Sequence, residues 1–262
     1  AMLYNLGQNN SLRVSWQEGY RFPSLFEGFS NINSGGVKRV GGLPIMSEGL
    51  GVFENSYLRS TVDAFVTAVN NDVNRNGLKQ SEAIVNNQNL LKRNPYTYLK
   101  PEYVSSYEIG YKGIFAEGKI LLDADFYFNA YRNFMAQVEV NLPLGKNVDP
   151  IGYYLFNRNS NERYRLWTNS SSRVFNYGGS LGLKYLNWFK SFNINANLSY
   201  AKLNRKETQD GLEESFNTPE FMVNASLSNP RIFNQVGFNL TWRWQSAFLW
   251  QSFIANGHVP AY

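Results

Sequence analysis

The chain has 262 residues, no cysteine, a single histidine (His258), 16% aromatic residues, 17% charged residues and a formal net charge of +5. The missing thiols exclude a disulfide frame and a thiolate metal site, and one histidine argues against a histidine zinc site or a serine–histidine triad. No run of eighteen apolar residues exists, so no transmembrane helix is encoded, and the basic residues are scattered rather than striped, which speaks against nucleic acid.

Strand-like alternation begins at once. Met2–Leu6 and Leu12–Phe22 form a first predicted strand pair, joined at Gly7-Gln8-Asn9-Asn10. No leader-like segment precedes them, and the chain is expected to be an internal piece of a longer protein. A long connection follows at about 23–101. Within it, Ser56–Asn71 places Leu58, Val62, Phe65 and Val69 at helical spacing, and Ser81–Leu91 is a second predicted helix. Between them, Asp72, Asn74 and Asn76 before Gly77 have the spacing of a calcium loop. Position twelve is Ala83, which removes the bidentate ligand, so an Asn/Gly-rich turn is the preferred reading.

The second pair, Glu102–Ile114 and Lys119–Val140, turns at Phe115-Ala116-Glu117-Gly118. The third spans Tyr164–Leu186 and Ser191–Lys206 with Asn187–Lys190 between. The fourth spans Phe221–Ser228 and Asn234–Phe253 around Asn229-Pro230-Arg231-Ile232-Phe233. Tight turns thus alternate with long loops at about 23–101, 141–163 and 207–220, and another opens after Phe253. Phe192 to Tyr200 alternates apolar with Asn or Ser at every step. Ile120, Leu122, Ala124, Phe126, Phe128 and Ala130 oppose Asp123, Asp125, Tyr127 and Asn129 in the same way. Strands of about 9–11 residues with one apolar face, and loops segregated by length, predict a transmembrane antiparallel β-barrel. A water-soluble sheet with one buried face shares the period. A self-contained eight-stranded barrel with a structural or adhesive role, or a soluble carbohydrate-binding sandwich, would also fit it.

Two segments carry a resemblance. Tyr20-Arg21-Phe22-Pro23 closes the second strand, and Leu99-Lys100-Pro101-Glu102 through Ser106-Tyr107-Glu108-Ile109-Gly110 opens the third. In order, they resemble the signature segments of TonB-dependent outer-membrane receptors. The resemblance implies that the eight strands are part of a 22-stranded barrel whose residues 31–98 form an extracellular loop insertion. It also implies a plug domain, which this sequence does not contain, and energy from TonB. Arg21, Pro23, Pro101, Glu102, Tyr107, Glu108 and Gly110 would be structural motif residues. The implied task is uptake of a scarce, bulky nutrient, without catalysis and without a cofactor. The implied partners are outer-membrane lipid and lipopolysaccharide, the TonB complex, a small-molecule, sugar or peptide ligand, and a surface lipoprotein. Arg163, Arg165 and Arg173 surround Trp167 near one loop mouth, so Arg21, Arg163, Arg165 and Trp167 are the expected ligand contacts.

Overall fold

The computed structural model describes residues 1–145, 150–189, 191–205, 211–213 and 216–262. In chain order, β1 (Met2–Asn5) and β2 (Asn10–Arg21) form a hairpin. The first long connection holds α1 (Leu25–Phe29), β3 (Asn31–Ser34), β4 (Val37–Val40), α2 (Pro44–Ser47), α3 (Val52–Asn55), β5 (Tyr57–Leu58), α4 (Arg59–Asn76) and α5 (Gln80–Asn87). Next come β6 (Glu102–Phe115) and β7 (Ile120–Arg132), then β8 (Met135–Pro143), α6 (Gly152–Phe156) and β9 (Asn161–Asn169). β10 (Val174–Tyr185) and β11 (Asn193–Arg205) follow, with β12 (Leu212–Glu213) leading to β13 (Phe221–Phe233) and β14 (Val236–Gln245). β15 (Phe248–Gln251) and β16 (Asn256–Val259) pair with each other.

Eight strands form one antiparallel wall in the order β1-β2-β6-β7-β10-β11-β13-β14. Its register separates the two faces. Leu12, Tyr111, Ala124, Leu181, Leu198, Val223 and Trp244 run across seven strands as one row, and Ser11, Lys112, Asp123, Gly182, Asn197, Asn224 and Arg243 run beside it on the opposite face. The apolar face is left open: Trp16 is 62% exposed and Leu240 67%. A water-soluble sandwich would cover such a surface, whereas hydrocarbon tails solvate it. The wall is an open arc with β1 and β14 as edges. The self-contained eight-stranded barrel is therefore not formed, and the arc fits part of a larger barrel.

Hydrophobic burial lies elsewhere. A second sheet, β12-β8-β9-β4-β3 with β5 also on β8, stands at the long-loop end of the wall. Its members come from three different connections, and β4 pairs β9 in parallel. Val40, Leu58, Ala136, Val138, Val140, Tyr164, Leu166 and Leu212 form its core with Val52 and Phe53, while Phe65, Val69, Ala83 and Ile84 pack α4 on α5 beside it. The long loops thus form one folded cap.

Several predicted elements are corrected. The strand Lys119–Val140 divides at Asn133, whose φ of +54° turns the chain out of the wall. Tyr164–Leu186 divides between Asn169 and Val174, and Asn234–Phe253 breaks after Gln245. Alternation runs through the first break in step, so period alone could not reveal it. The five-residue turn at Asn229–Phe233 is instead strand, with a register irregularity around Pro230, which has no N–H to give the ladder. The predicted helices occur as α4 and α5 with shifted ends. Lys190 and Lys206 at predicted turn and strand ends, residues 146–149 of the 141–163 loop, and 207–210 with 214–215 of the 207–220 loop lie outside the described residues.

Candidate functional site

The site begins where β2 leaves the wall. Ser24 caps α1: its hydroxyl accepts from the Glu27 amide, and Glu27 Oε2 accepts from the Ser24 amide at 2.7 Å. The other oxygen of Glu27 accepts from Arg21. Arg21 Nη1 also lies 3.9 Å from Glu102, whose Oε2 accepts from the Met135 amide at 2.8 Å. Both carboxylates are buried. The two signature segments therefore meet in one place and pin α1, β6 and β8 to the mouth of the wall. The Pro101 carbonyl accepts from Asn133 Nδ2 at 3.4 Å, reinforcing the exit of β8. Pro23 follows the last ladder residue of β2, where a missing N–H is harmless. Glu108 pairs with Arg13 on the polar face, and Gly110 leaves room for that arginine: a Cβ there would lie 3.3 Å from Arg13 Nη2. Tyr107 stands on the lipid face.

Higher in the cap, four loop segments converge on a buried cluster of charges. Arg165 Nη2 donates to Glu139 Oε1 at 2.7 Å and to Glu213 Oε1 at 2.8 Å, and its Nη1 donates to the Ser252 carbonyl at 2.8 Å. Arg163 Nε donates to Glu139 Oε2 at 3.0 Å. Arg39 donates to the carbonyls of Phe253 at 2.5 Å, Ile254 at 2.9 Å and Ser34 at 2.7 Å. Glu213 also accepts from Asn256 Nδ2 at 3.1 Å. Burial alone would raise the Glu139 pKa, but the Arg163 and Arg165 contacts bring it below the usual carboxylate value. Burial pushes Glu213 up, only partly offset by Arg165. Burial, with Arg165 nearby, lowers Arg39.

Trp167 is also inside. It stacks on Phe253 with ring centroids 5.6 Å apart and 24° between planes, and packs with Leu99 and Met135. Of the expected ligand contacts, the structure brings Arg163, Arg165 and Trp167 together on β9 and places Arg21 at the base. Only Arg163 and Arg21 keep substantial exposed side-chain surface; Arg165 and Trp167 are engaged by the protein. Arg173 lies exposed between β9 and β10. Arg39, Glu139, Glu213 and Phe253 were not expected at this cluster. The one signal available was Glu139 itself, an acid alone within Val138-Glu139-Val140. Asp72, Asn74 and Asn76 lie in the last turns of α4, and the Asp72 carboxylate is taken by Asn76 and Asn87 at 2.8 Å each. No cluster of three metal-ligating acids or histidines occurs among the described residues.

Below the cap the polar face of the wall forms a ladder of amides and hydroxyls. Ser106 donates to Asn129 at 2.6 Å, Asn129 to Asn176 at 3.2 Å, and Asn176 to the Lys202 carbonyl at 3.2 Å. Near β14 it opens into a concavity of ≈ 520 Å³ lined by Asn195, Asn224, Ser226, Asn239, Thr241 and Arg243. Apart from Arg243, the polar groups of this lining are amides and hydroxyls, which offer hydrogen bonds to a polar solute.

A family model described as TonB dependent receptor-like, beta-barrel, matches residues 1–262. No curated protein matches the chain. Among solved structures, the FrpB iron transporter from Neisseria meningitidis, F5-1 variant, superposes with a TM-score of 0.50 at 11% identity, over 99% of this chain and 30% of that one. The F3-3 variant gives 0.48 at 12% identity, over 94% and 26%. The siderophore receptor PirA from Acinetobacter baumannii gives 0.49 at 12% identity, over 99% and 32%. The chain spans about a third or less of each of these structures, and at such identities the likeness concerns the fold.

Proposed function

Because this chain belongs to the TonB-dependent receptor β-barrel family of the outer membrane, we propose that it supplies one arc of the wall and part of the outer cap of an active-transport receptor. In this reading the segment 31–98 lies outside the cell, and the cap captures a scarce, bulky nutrient. The solute then descends along the amide-rich inner face, past a plug that TonB displaces. The observation that carries the proposal is the two-faced wall, apolar across one face and polar across the other, with the described segments of the long loops folded together at one end.

The ligand contacts are divided accordingly. Arg163 presents partly exposed surface and touches the ligand, while Arg165 and Trp167 hold that surface in place and Arg21 fixes the cap to the wall. Arg132 lies over the Tyr103 ring at 4.2 Å on the lipid face of the loop end, where a cation meets lipopolysaccharide phosphates. The test is uptake by cells carrying the full-length receptor, with and without TonB, using ferric siderophores, corrinoids and oligosaccharides as cargo. The expected result is binding of one cargo class in both strains and accumulation only with TonB. Accumulation indifferent to TonB would overturn the proposal.

A further inference from the structure

The cap carries a second concavity, of ≈ 410 Å³, between α5 and the α6 segment. It is separate from the charge cluster and is not used by the transport reading. Glycines build it. A Cβ on Gly152 would lie 3.0 Å from both Ile84 Cγ2 and Phe65 Cζ, so its absence lets α6 settle onto the α4–α5 core. A Cβ on Gly145 would lie 2.2 Å from Tyr154 Cε1, so bare backbone lies against that ring and fixes it. Tyr153 and Tyr154 thus form aromatic walls over a floor that includes Ile84.

The rim carries the Gln80 amide, the Ser81 and Ser160 hydroxyls and Asn157. Asn157 is oriented from within: its Oδ1 accepts from the Asn159 amide at 3.0 Å and its carbonyl accepts from Asn161 Nδ2 at 2.8 Å. Among the described residues, no hydrogen bond occupies the Gln80 amide, the Ser81 or Ser160 hydroxyl or either tyrosine hydroxyl. Among the described residues, no charged side chain lines the concavity.

This combination selects a ligand class. Among the described lining residues an anion finds no cation, and an apolar ligand would strand the rim amides and hydroxyls without partners. A pyranose ring offers C–H faces to the tyrosines and hydroxyls to the amides, without charge. We infer that the groove between α5 and α6 is a binding site for a neutral saccharide. Its source is either a free oligosaccharide or the sugar chain of lipopolysaccharide.

The experiment titrates the full-length receptor in detergent by calorimetry, so it is independent of TonB. One arm uses neutral gluco-, manno- and xylo-oligosaccharides of four to six residues; the other uses delipidated polysaccharide from lipopolysaccharide. Binding with Kd of about 10 µM to 1 mM is expected in at least one arm. Tyr153→Ala and Gln80→Ala, both at exposed positions, are each expected to weaken it about tenfold or more. Binding in the first arm alone identifies a nutrient sugar; binding in the second alone identifies an envelope contact. No binding in either arm, or affinity untouched by Tyr153→Ala and Gln80→Ala, overturns the inference. Because cargo uptake is not the readout, failure of the transport proposal would not be mistaken for failure of this one.

Discussion

Arg165 Nη2 donates to Glu213 Oε1 at 2.8 Å, joining two loops whose residues stand 48 positions apart in the chain. The same guanidinium holds Glu139 and the Ser252 carbonyl, so one side chain ties β8, β9, β12 and the loop after β15. Arg165→Ala would leave two largely buried carboxylates facing each other with one partner gone. Removing one member of a buried pair costs about 3–5 kcal/mol. The expected result is faster amide hydrogen exchange across β8 and β9, with the wall strands unchanged. Equal protection in variant and parent would show that the cap is held by its apolar core alone.

The same cluster makes the cap sensitive to acidity in two opposed directions. Glu139 is held below the ordinary carboxylate value of 4.5, so its contribution is present above that value and lost as pH falls through its own lower pKa. Glu162, lowered chiefly by its hydrogen bond from Lys38, adds to this acid limb. Glu213 is raised, so its contribution is fully present below 4.5 and lost as pH rises through its folded pKa. Cap protection is therefore expected to peak near the ordinary carboxylate value and decline on both sides. Glu213→Gln should flatten the alkaline limb and keep the acid one; hydrogen exchange of β8 and β9 against pH reads both. A profile rising steadily through the mildly acidic range would contradict the Glu213 assignment.

At the base of the cap, Arg21 stands between Glu27 and Glu102, each nearly inaccessible to water. Arg21→Ala removes the cation beside both charges and leaves each with a backbone amide donor, and a loss of about 1–3 kcal/mol is expected. Arg21→Lys should recover only part of it, because an ammonium does not reproduce the planar fork that spans two carboxylates. Limited proteolysis around α1 and β3 gives the readout. Cleavage no faster than in the parent would mean that the Ser24–Glu27 capping box suffices to hold the segment.

The wall was legible in the sequence because each strand repeats every two residues and lipid and lumen demand opposite chemistry on alternate positions. Phe192 to Tyr200 shows this, and the register agrees: Leu198 lies in the apolar row and Asn197 in the polar one. Of the cap, only the helices α4 and α5 were legible, from Leu58, Val62, Phe65 and Val69 at helical spacing. Its strands share the same period, so β7 with β8 and β9 with β10 read as continuous. Its pairings are also non-local: Lys38 meets Glu162 at 2.7 Å across 124 positions, on strands running in parallel. Nothing local announces such a contact. The wall reading is checked by an adjacent pair of substitutions. Leu198→Arg should destabilise the folded receptor in lipid vesicles by about 2–4 kcal/mol, and Asn197→Arg by far less. Equal penalties in denaturant unfolding would refute the assignment of faces.

The short turn between β6 and β7 stores strain that can be relieved. Ala116 and Glu117 both adopt left-handed backbone, with φ of +52° and +56°, and Gly118 follows at +88°. A side chain with a Cβ costs about 1–2 kcal/mol in that region, while Gly is free of the penalty and Asn reduces it. Neither residue is held by a side-chain contact that would be lost, and both are exposed at the turn end of the wall. Ala116→Asn and Glu117→Gly are each expected to stabilise the receptor by about 1 kcal/mol, part of the Gly gain being offset by a looser unfolded chain. Gly118→Ala is expected to act in the opposite direction, because its φ admits no L side chain without strain. Denaturant unfolding of the three variants in vesicles gives the comparison. A loss of stability in Ala116→Asn would show that membrane packing, not local backbone preference, sets the conformation of this turn.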